Sequence, residues 1–328
     1  MTPHCLVVHP GALGDVLLAG PALAHLRALG FRTTLAVTSR LVALFAGSGL
    51  VDDARDLESL ALHRLFVAPP GPGALAAVAS FDAIVCWLGA GDPVFRANLA
   101  QPGRPVVVAR AAPPPGSGRH ASRHLLETLA PLGPLPTGLP AVRLGVAGAG
   151  LAVAGAWLAA RGIGPAEAVV LQPGAGSTVK VWPGFAALAR RLGNADLPLV
   201  ALGGPADGSV VEALLEAGVL AGERLARGWA LPEVAALLSL ARATVGNDSG
   251  PTHLAAAVGC PTVAIFGPTD PAVWAPIGAH VRVVAGRSGD APWADAERVE
   301  AALRALLGGD GPEAPTLTPC AAVGQAWP

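Results

Sequence analysis

Among the 22 strongly basic residues of this 328-residue chain there is one lysine, Lys180. It lies in Gln172-Pro173-Gly174-Ala175-Gly176-Ser177-Thr178-Val179-Lys180-Val181-Trp182-Pro183. Everywhere else the chain uses arginine, so this position has kept a compact ammonium where a wide planar guanidinium could have stood. The preceding Gly/Ser loop offers backbone N–H groups, and loop and ammonium together suit an anion, most naturally a phosphate. The ordinary alternative is a chance survivor on a solvated face. A second candidate is Asp15, in Pro10-Gly11-Ala12-Leu13-Gly14-Asp15-Val16-Leu17-Leu18. A strand, a glycine turn and a helix in succession mark the strand end where doubly wound sheets hold ligands. Asp15 there is either a helix N-cap or a general base. A helix N-terminus favours the anion and weakens the base, so catalysis would need partial burial or a tight acceptor contact.

The third candidate is the run from Val245-Gly246-Asn247-Asp248-Ser249-Gly250-Pro251-Thr252-His253 through to Phe266-Gly267-Pro268-Thr269. Polar residues at a strand end, a Pro-started helix and a Gly259 stop make a helix N-terminus that can hold a diphosphate. Capping alone does not account for an Asp, a Ser and a His packed so closely.

Alternating elements must position these residues. In the first half, Cys5–His9, Thr33–Thr38, Ala83–Trp87 and Val106–Ala109 read as strands, and Val16–Leu29 as one amphipathic helix ended by Gly30. In the second half the strands are Val169–Leu171, Leu199–Leu202, Ala243–Val245 and Thr262–Phe266. Helices are expected over Phe185–Leu192, Gly208–Glu216, Pro232–Ala241, Thr252–Val258 and Trp293–Leu307. Continuous apolar strands alternating with helices imply parallel sheets buried on both faces. The expected fold class is therefore α/β, with two Rossmann-like doubly wound domains facing across a cleft. The expected division is 1–145, an interdomain helix and linker over 146–165, 166–290, a C-terminal helix over 291–308, and a disordered Pro/Gly-rich tail over 309–328.

Composition narrows the functional classes. A net charge of −1 argues against a general nucleic-acid binder. Cys5, Cys86, Cys260 and Cys320 lack CxxC or His-paired spacing, which fits a reducing compartment and offers no zinc site. The N-terminus has no basic region of a secretory signal, so a cytoplasmic location is expected. Leu144–Ala160 is uncharged, but its 17 Ala- and Gly-rich residues are too short and weakly apolar for a span, and read as a buried or interdomain helix.

Gly11–Leu18 with Pro21-Ala22-Leu23, then Lys180-Val181-Trp182-Pro183, then Asp248–Thr269 together resemble glycosyltransferase family 9, the ADP-heptose:lipopolysaccharide heptosyltransferases and their relatives. The resemblance runs from Leu6 to Pro276. It implies a GT-B fold and inverting transfer of a sugar, expected to be heptose, from an ADP-sugar to a lipopolysaccharide core or related envelope glycan. No metal or other cofactor is implied, and no Asp-x-Asp metal motif is present. It further implies Asp15 as catalytic base and Lys180 at the donor diphosphate. Asp207 falls at the nucleotide ribose, and Asp248, Ser249 and Gly250 hold the donor sugar and diphosphate with His253 in support. Gly14, Gly174 and Ser177 complete the donor-binding set. His120 resembles a histidine on the acceptor side. Arg96 and Arg123 lie in the same half and either converge on an anionic acceptor or are scattered solvated arginines. A glycolipid acceptor would bring peripheral contact with the inner membrane. The stretch from Cys86 to Arg96 departs from the family's acidic, polar pattern in the acceptor half. Two other readings are a GT-B-like sugar-nucleotide epimerase, which needs a second acid/base near the sugar, and a catalytically silent sugar-nucleotide-binding relative.

Overall fold

The computed structural model describes residues 2–70, 73–100, 103–193, 197–204, 207–286 and 293–308. The expected tail over 309–328, Cys320 included, lies outside the described residues. Two compact units are present, Met1–Arg143 with Ala272–Trp274, and Leu144–Pro271 with Ala275–Pro328.

The first unit contains β1 (His4–Val8), α1 (Leu13–Leu18), α2 (Gly20–Ala28), β2 (Arg32–Val37), α3 (Ser39–Ala46), β3 (Asp53–Asp56), β4 (Ala83–Cys86), α4 (Pro93–Leu99), β5 (Val106–Val108) and α5 (Ala121–Glu127). Its strands form one parallel sheet in the order β3-β2-β1-β4-β5. The order reverses at β1, so the turn after β1 opens beside the end of β4. That is where an open α/β sheet leaves a crevice at its carboxyl edge. Leu6, Val8, Ile84, Cys86 and Phe95 build the core on one face. The single helix expected over Val16–Leu29 is two helices. Pro21 has no N–H to continue α1's hydrogen bonding and instead stands in the first turn of α2.

The second unit contains α6 (Gly148–Ala159), β6 (Val169–Gln172), α7 (Phe185–Gly193), β7 (Leu199–Gly203), α8 (Gly208–Glu216), β8 (Leu225–Arg227), α9 (Leu231–Leu240), β9 (Ala243–Asn247), α10 (Gly250–Ala257) and β10 (Thr262–Phe266). After α11 (Pro271–Trp274), of which Ala272–Trp274 groups with the first unit, come β11 (Val281–Ala285) and α12 (Ala296–Gly308). The parallel sheet runs β11-β10-β9-β6-β7-β8. Here the reversal falls between β6 and β9, paired Leu171 to Val245 and Gln172 to Gly246. The loops that follow these two strands are therefore neighbours, although Lys180 and Asp248 are far apart in sequence. Trp182, Phe185, Leu188 and Leu192 pack with Val299 and Leu303 of α12 over the strands.

Three strands were not expected: β3, β8 and β11. All lie at sheet edges and carry polar residues, such as Asp-Ala-Arg-Asp in β3. These three edge strands bury less, and charged residues interrupt their apolar runs. The fourth edge strand, β5, is the apolar run Val106–Val108 and was expected. The buried helix expected within Leu144–Ala160 is α6, buried only along Gly150, Ala154 and Leu158. A methyl group at Gly150 would stand 2.8 Å from the Pro232 carbonyl, which shows how closely α6 lies on α9. Its outer face, including Ala152 and Val153, is exposed. Among the described residues no helix is long and apolar enough to cross a membrane.

Candidate functional site

In the second unit the polar residues after β6 and β9 form one network. Asn247 closes β9 fully buried, where an amide must find partners within the protein. Its Oδ1 accepts the Trp182 N–H at 3.0 Å, and its Nδ2 donates to the carbonyls of Pro173 at 2.8 Å and Gly174 at 3.1 Å. One side chain thus ties the Gly/Ser loop to the segment just beyond Lys180. Trp182 is anchored by its ring N–H to the Ala294 carbonyl at 2.8 Å. Lys180 follows from this frame. It closes a short 3-10 turn, Thr178–Lys180, and its Nζ donates to Asp248 Oδ2 at 2.7 Å.

Asp248 is the centre of charge. Thr269 Oγ1 donates to the same oxygen at 2.7 Å, and His253 Nε2 stands 3.7 Å from Oδ1. Burial by itself would raise the Asp248 pKa. The contacts with His253, Lys180 and Thr269 outweigh burial and hold it at about 2, against an ordinary 3.8. Asp248 is therefore an anion at neutral pH, and it keeps the Lys180 ammonium, 32% exposed, over the strand ends. Ser249 is the N-cap of α10, yet its hydroxyl pairs with that of Thr252 at 3.1 Å and does not cap the helix. The N-terminal dipole of α10 at Gly250 then has no side-chain oxygen of Ser249 laid across it.

Asp207 lies buried under the same loop. Its Oδ2 accepts the Gly204 N–H at 2.8 Å, and its carboxyl carbon sits where a side chain on Gly174 would have to be, 1.9 Å from an added Cβ. Glycine at 174 is thus required by close approach. Gly174 is itself buried, whereas Ser177 is exposed at the loop tip. Gln172, also buried, leaves its Oε1 without a partner.

The first unit builds a different site. Asp15 occupies the third position of α1, not the N-cap, and its Oδ2 reaches back to accept the Ala12 N–H at 3.0 Å. Ala12 has no side-chain oxygen to reciprocate, so only half of a capping box is made. Gly14 is in the same turn. Beside Asp15 stands His9, fully buried, with Nδ1 accepting the Gly11 N–H at 3.1 Å. That bond assigns the proton to Nε2, and Nε2 has no partner. Burial lowers the His9 pKa to about 4, against the opposing pull of Asp15, so the ring is neutral at pH 7. A buried donor left unpaired costs about 1–3 kcal/mol. Trp87, from the departing stretch after β4, meets the imidazole edge-on at 5.4 Å. His9 and Asp15 line a cavity of about 210 Å³ with Ala111, Ala121, Leu125 and Trp274.

The expected acceptor residues are not part of this lining. His120 caps α5, its Nδ1 accepting the Ser122 N–H at 3.3 Å. Arg123 donates to the Thr137 carbonyl at 2.8 Å, and Arg96 is exposed on α4. Among the described residues no group of three or more His, Cys, Asp or Glu side chains is placed to hold a metal. Cys5, Cys86 and Cys260 are buried free thiols whose pKa values burial pushes up to about 12, which makes them poor nucleophiles. The residue-level reading missed Asn247 and Thr269 as site residues, and it missed His9. An asparagine ending an apolar strand was the available signal for the first.

Residues 147–303 match the model of glycosyltransferase family 9 (heptosyltransferase). A curated relative, lipopolysaccharide heptosyltransferase 3 of Escherichia coli, is 47% identical over 45 residues. That stretch is 14% of this chain and 13% of the relative's length. Among solved structures, a family 9 glycosyl transferase from Veillonella parvula superposes with a TM-score of 0.77 at 20% identity, covering 93% of this chain and 97% of the other. The E. coli ADP-heptose LPS heptosyltransferase II does so with a TM-score of 0.72 at 20% identity, over 93% and 98%. An E. coli heptosyltransferase solved with ADP-2-deoxy-2-fluoro heptose gives 0.62 at 19%, over 92% and 99%. These likenesses show the two-sheet α/β fold. The stretch 147–303, which carries Lys180, Asp248 and His253, is thus similar to glycosyltransferase family 9.

Proposed function

We propose that this family 9 glycosyltransferase moves a heptose from an ADP-linked donor to a hydroxyl of a lipopolysaccharide core or related envelope glycan, with inversion and without a metal. The observation that carries the reading is the Lys180–Asp248–Thr269 cluster beside the N-terminus of α10. A diphosphate leaving group needs positive charge at the moment the bond between the anomeric carbon and the β-phosphate oxygen breaks. Lys180 supplies a full charge there, and the first turn of α10 supplies oriented N–H dipoles. Asp248 fixes where the ammonium sits and offers its second oxygen, beside His253, to a sugar hydroxyl. Asp207, Gly174, Ser177, Ser249 and Gly250 shape the rest of the donor site. Asp15 takes the proton of the acceptor hydroxyl as its oxygen bonds to the anomeric carbon from the opposite face. Arg96, His120 and Arg123 contact the remainder of the acceptor. Work on such an acceptor places the protein in the cytoplasm, with peripheral contact at the inner membrane.

Calorimetric titration with ADP, followed by turnover of ADP-heptose in excess EDTA, tests the reading. Micromolar ADP affinity with EDTA-resistant turnover is expected. Absence of ADP affinity sinks the assignment, and a strict magnesium or manganese requirement sinks the metal-free mechanism.

A further inference from the structure

The cavity beside Asp15 contains two ionisable side chains among its described lining residues, the Asp15 carboxylate and the neutral His9 ring; the rest of its wall is largely apolar. His9 is completely enclosed, one ring nitrogen is committed to the Gly11 N–H, and the other, a donor, has no partner in the protein. A buried donor without a partner in the chain calls for one from outside it, and here a cavity adjoins the residue. The ring and the carboxylate are neighbours. A methyl group built on Gly11 would stand 2.7 Å from His9 Cε1 and 3.0 Å from Asp15 Oδ2, so both lie over the same α-carbon. Trp87 packs edge-on against the same imidazole, with ring centroids 5.4 Å apart.

We propose that His9 is a binding and specificity residue for the acceptor. Its Nε2–H donates to an oxygen of an uncharged sugar whose reacting hydroxyl gives its proton to Asp15. This inference rests on the transferase reading above. The pair accommodates a diol: one group accepts a proton, the other donates a hydrogen bond, and the apolar wall packs the C–H face of the ring. It does not accommodate an anion, because a phosphate or carboxylate here would face Asp15 with no cation among the described lining residues. The part of the acceptor that enters this cavity is therefore a neutral sugar, and any charge the acceptor carries lies elsewhere.

The test follows ADP release from ADP-heptose with two acceptor probes, methyl heptoside and heptose 7-phosphate, in the wild type, His9→Leu and His9→Gln. Wild type should use the neutral glycoside at least about ten-fold better by kcat/KM. His9→Leu should raise the glycoside KM by roughly 10- to 100-fold while leaving ADP affinity unchanged. His9→Gln, whose amide nitrogen reaches the Nε2 position, should recover most of the loss. Should His9→Leu not fold, His9→Gln is compared with His9→Asn, whose amide reaches only the Nδ1 position, and the glutamine should win. A folded His9→Leu with wild-type glycoside KM overturns the proposal, as does a preference for the phosphate. Equal KM for the glutamine and asparagine variants overturns it too, as does no release above the water rate with either probe in a protein that binds ADP. A wild type that neither binds ADP nor releases it fails earlier, at the transferase reading, and takes this inference with it.

Discussion

The carboxyl edges of the two sheets are built to opposite rules. In the second unit the polar groups at the end of β9 are tied: Asn247 makes three hydrogen bonds, Asp248 receives Lys180 and Thr269, and Ser249 meets Thr252, while nearby Gln172 keeps an unpaired Oε1. In the first unit Asp15 accepts one backbone N–H, and His9 keeps a donor unused in an apolar hollow. A saturated network holds fixed charges in place for a charged ligand and cannot readily give up or take up a proton. A sparse site does the reverse, since a base must have lone pairs left for its substrate. The contrast is what the proposed division of labour, leaving-group binding in one unit and proton removal in the other, calls for.

Breaking the sparse side should have the largest effect. Asp15→Asn removes the base but preserves shape and the capability to pair with the acceptor. Turnover should fall by roughly 10²–10⁴-fold with ADP affinity unchanged. Loss of thermal stability with undiminished activity per folded molecule would show that the carboxylate only serves α1. Lys180→Ala attacks the saturated side and should weaken ADP binding by about 1.5–3 kcal/mol, roughly 10- to 150-fold, because a charge-assisted contact to diphosphate is lost. Lys180→Arg should rescue poorly, since a planar fork cannot occupy the ammonium's place against Asp248 and Thr269. Wild-type ADP affinity in Lys180→Ala would dissolve the contrast.

Acid should separate the two sites by pH window. His9 is held neutral, its pKa lowered to about 4 from 6.5. The unfolded chain therefore binds the extra proton first, and stability is lost as pH falls from about 6.5 to 4, by about 3 kcal/mol if His9 acts alone. Asp248 is lowered from 3.8 to about 2, so its share, about 2 kcal/mol, is present above pH 4 and lost between pH 4 and 2. Burial also lowers the His25 and His4 pKa values, so urea melts across these windows should show the upper slope diminish in His9→Gln and the lower one diminish in Asp248→Asn. Retention of both slopes in both variants would mean that other groups set the acid limb.

What could be read beforehand follows from burial. The interior strands β1, β4, β6, β9 and β10 are continuous apolar runs and were legible, as were the motifs on Asp15, Lys180 and Asp248. The polar edge strands were not, nor was the break at Pro21. Contact between Lys180 and Asp248 is set by strand order, β6 lying beside β9, which no local pattern contains. His9 ends an apolar strand and reads as a core histidine. Its significance lies in the nitrogen that found no partner, which is visible only once the surrounding chain is in place.

The finest division of the saturated side concerns Thr269, whose hydroxyl shares Asp248 Oδ2 with Lys180. Thr269→Val keeps the shape and removes one donor from a buried carboxylate. The Asp248 anion then has Lys180 and His253 but no hydroxyl, so its pKa should rise toward the ordinary value, and the lower acid window should shift upward in pH. Lys180 would be held less firmly, and ADP affinity should weaken by about 0.5–1.5 kcal/mol, two- to ten-fold. Thr269→Ser, which restores the donor without the methyl group, should recover the ADP affinity and the acid window together. If the valine variant matches wild type in both, the carboxylate is positioned by Lys180 and His253 alone, and the network is less saturated than its geometry states. If ADP affinity falls while the acid window stays, Thr269 acts on the ligand directly and not through Asp248.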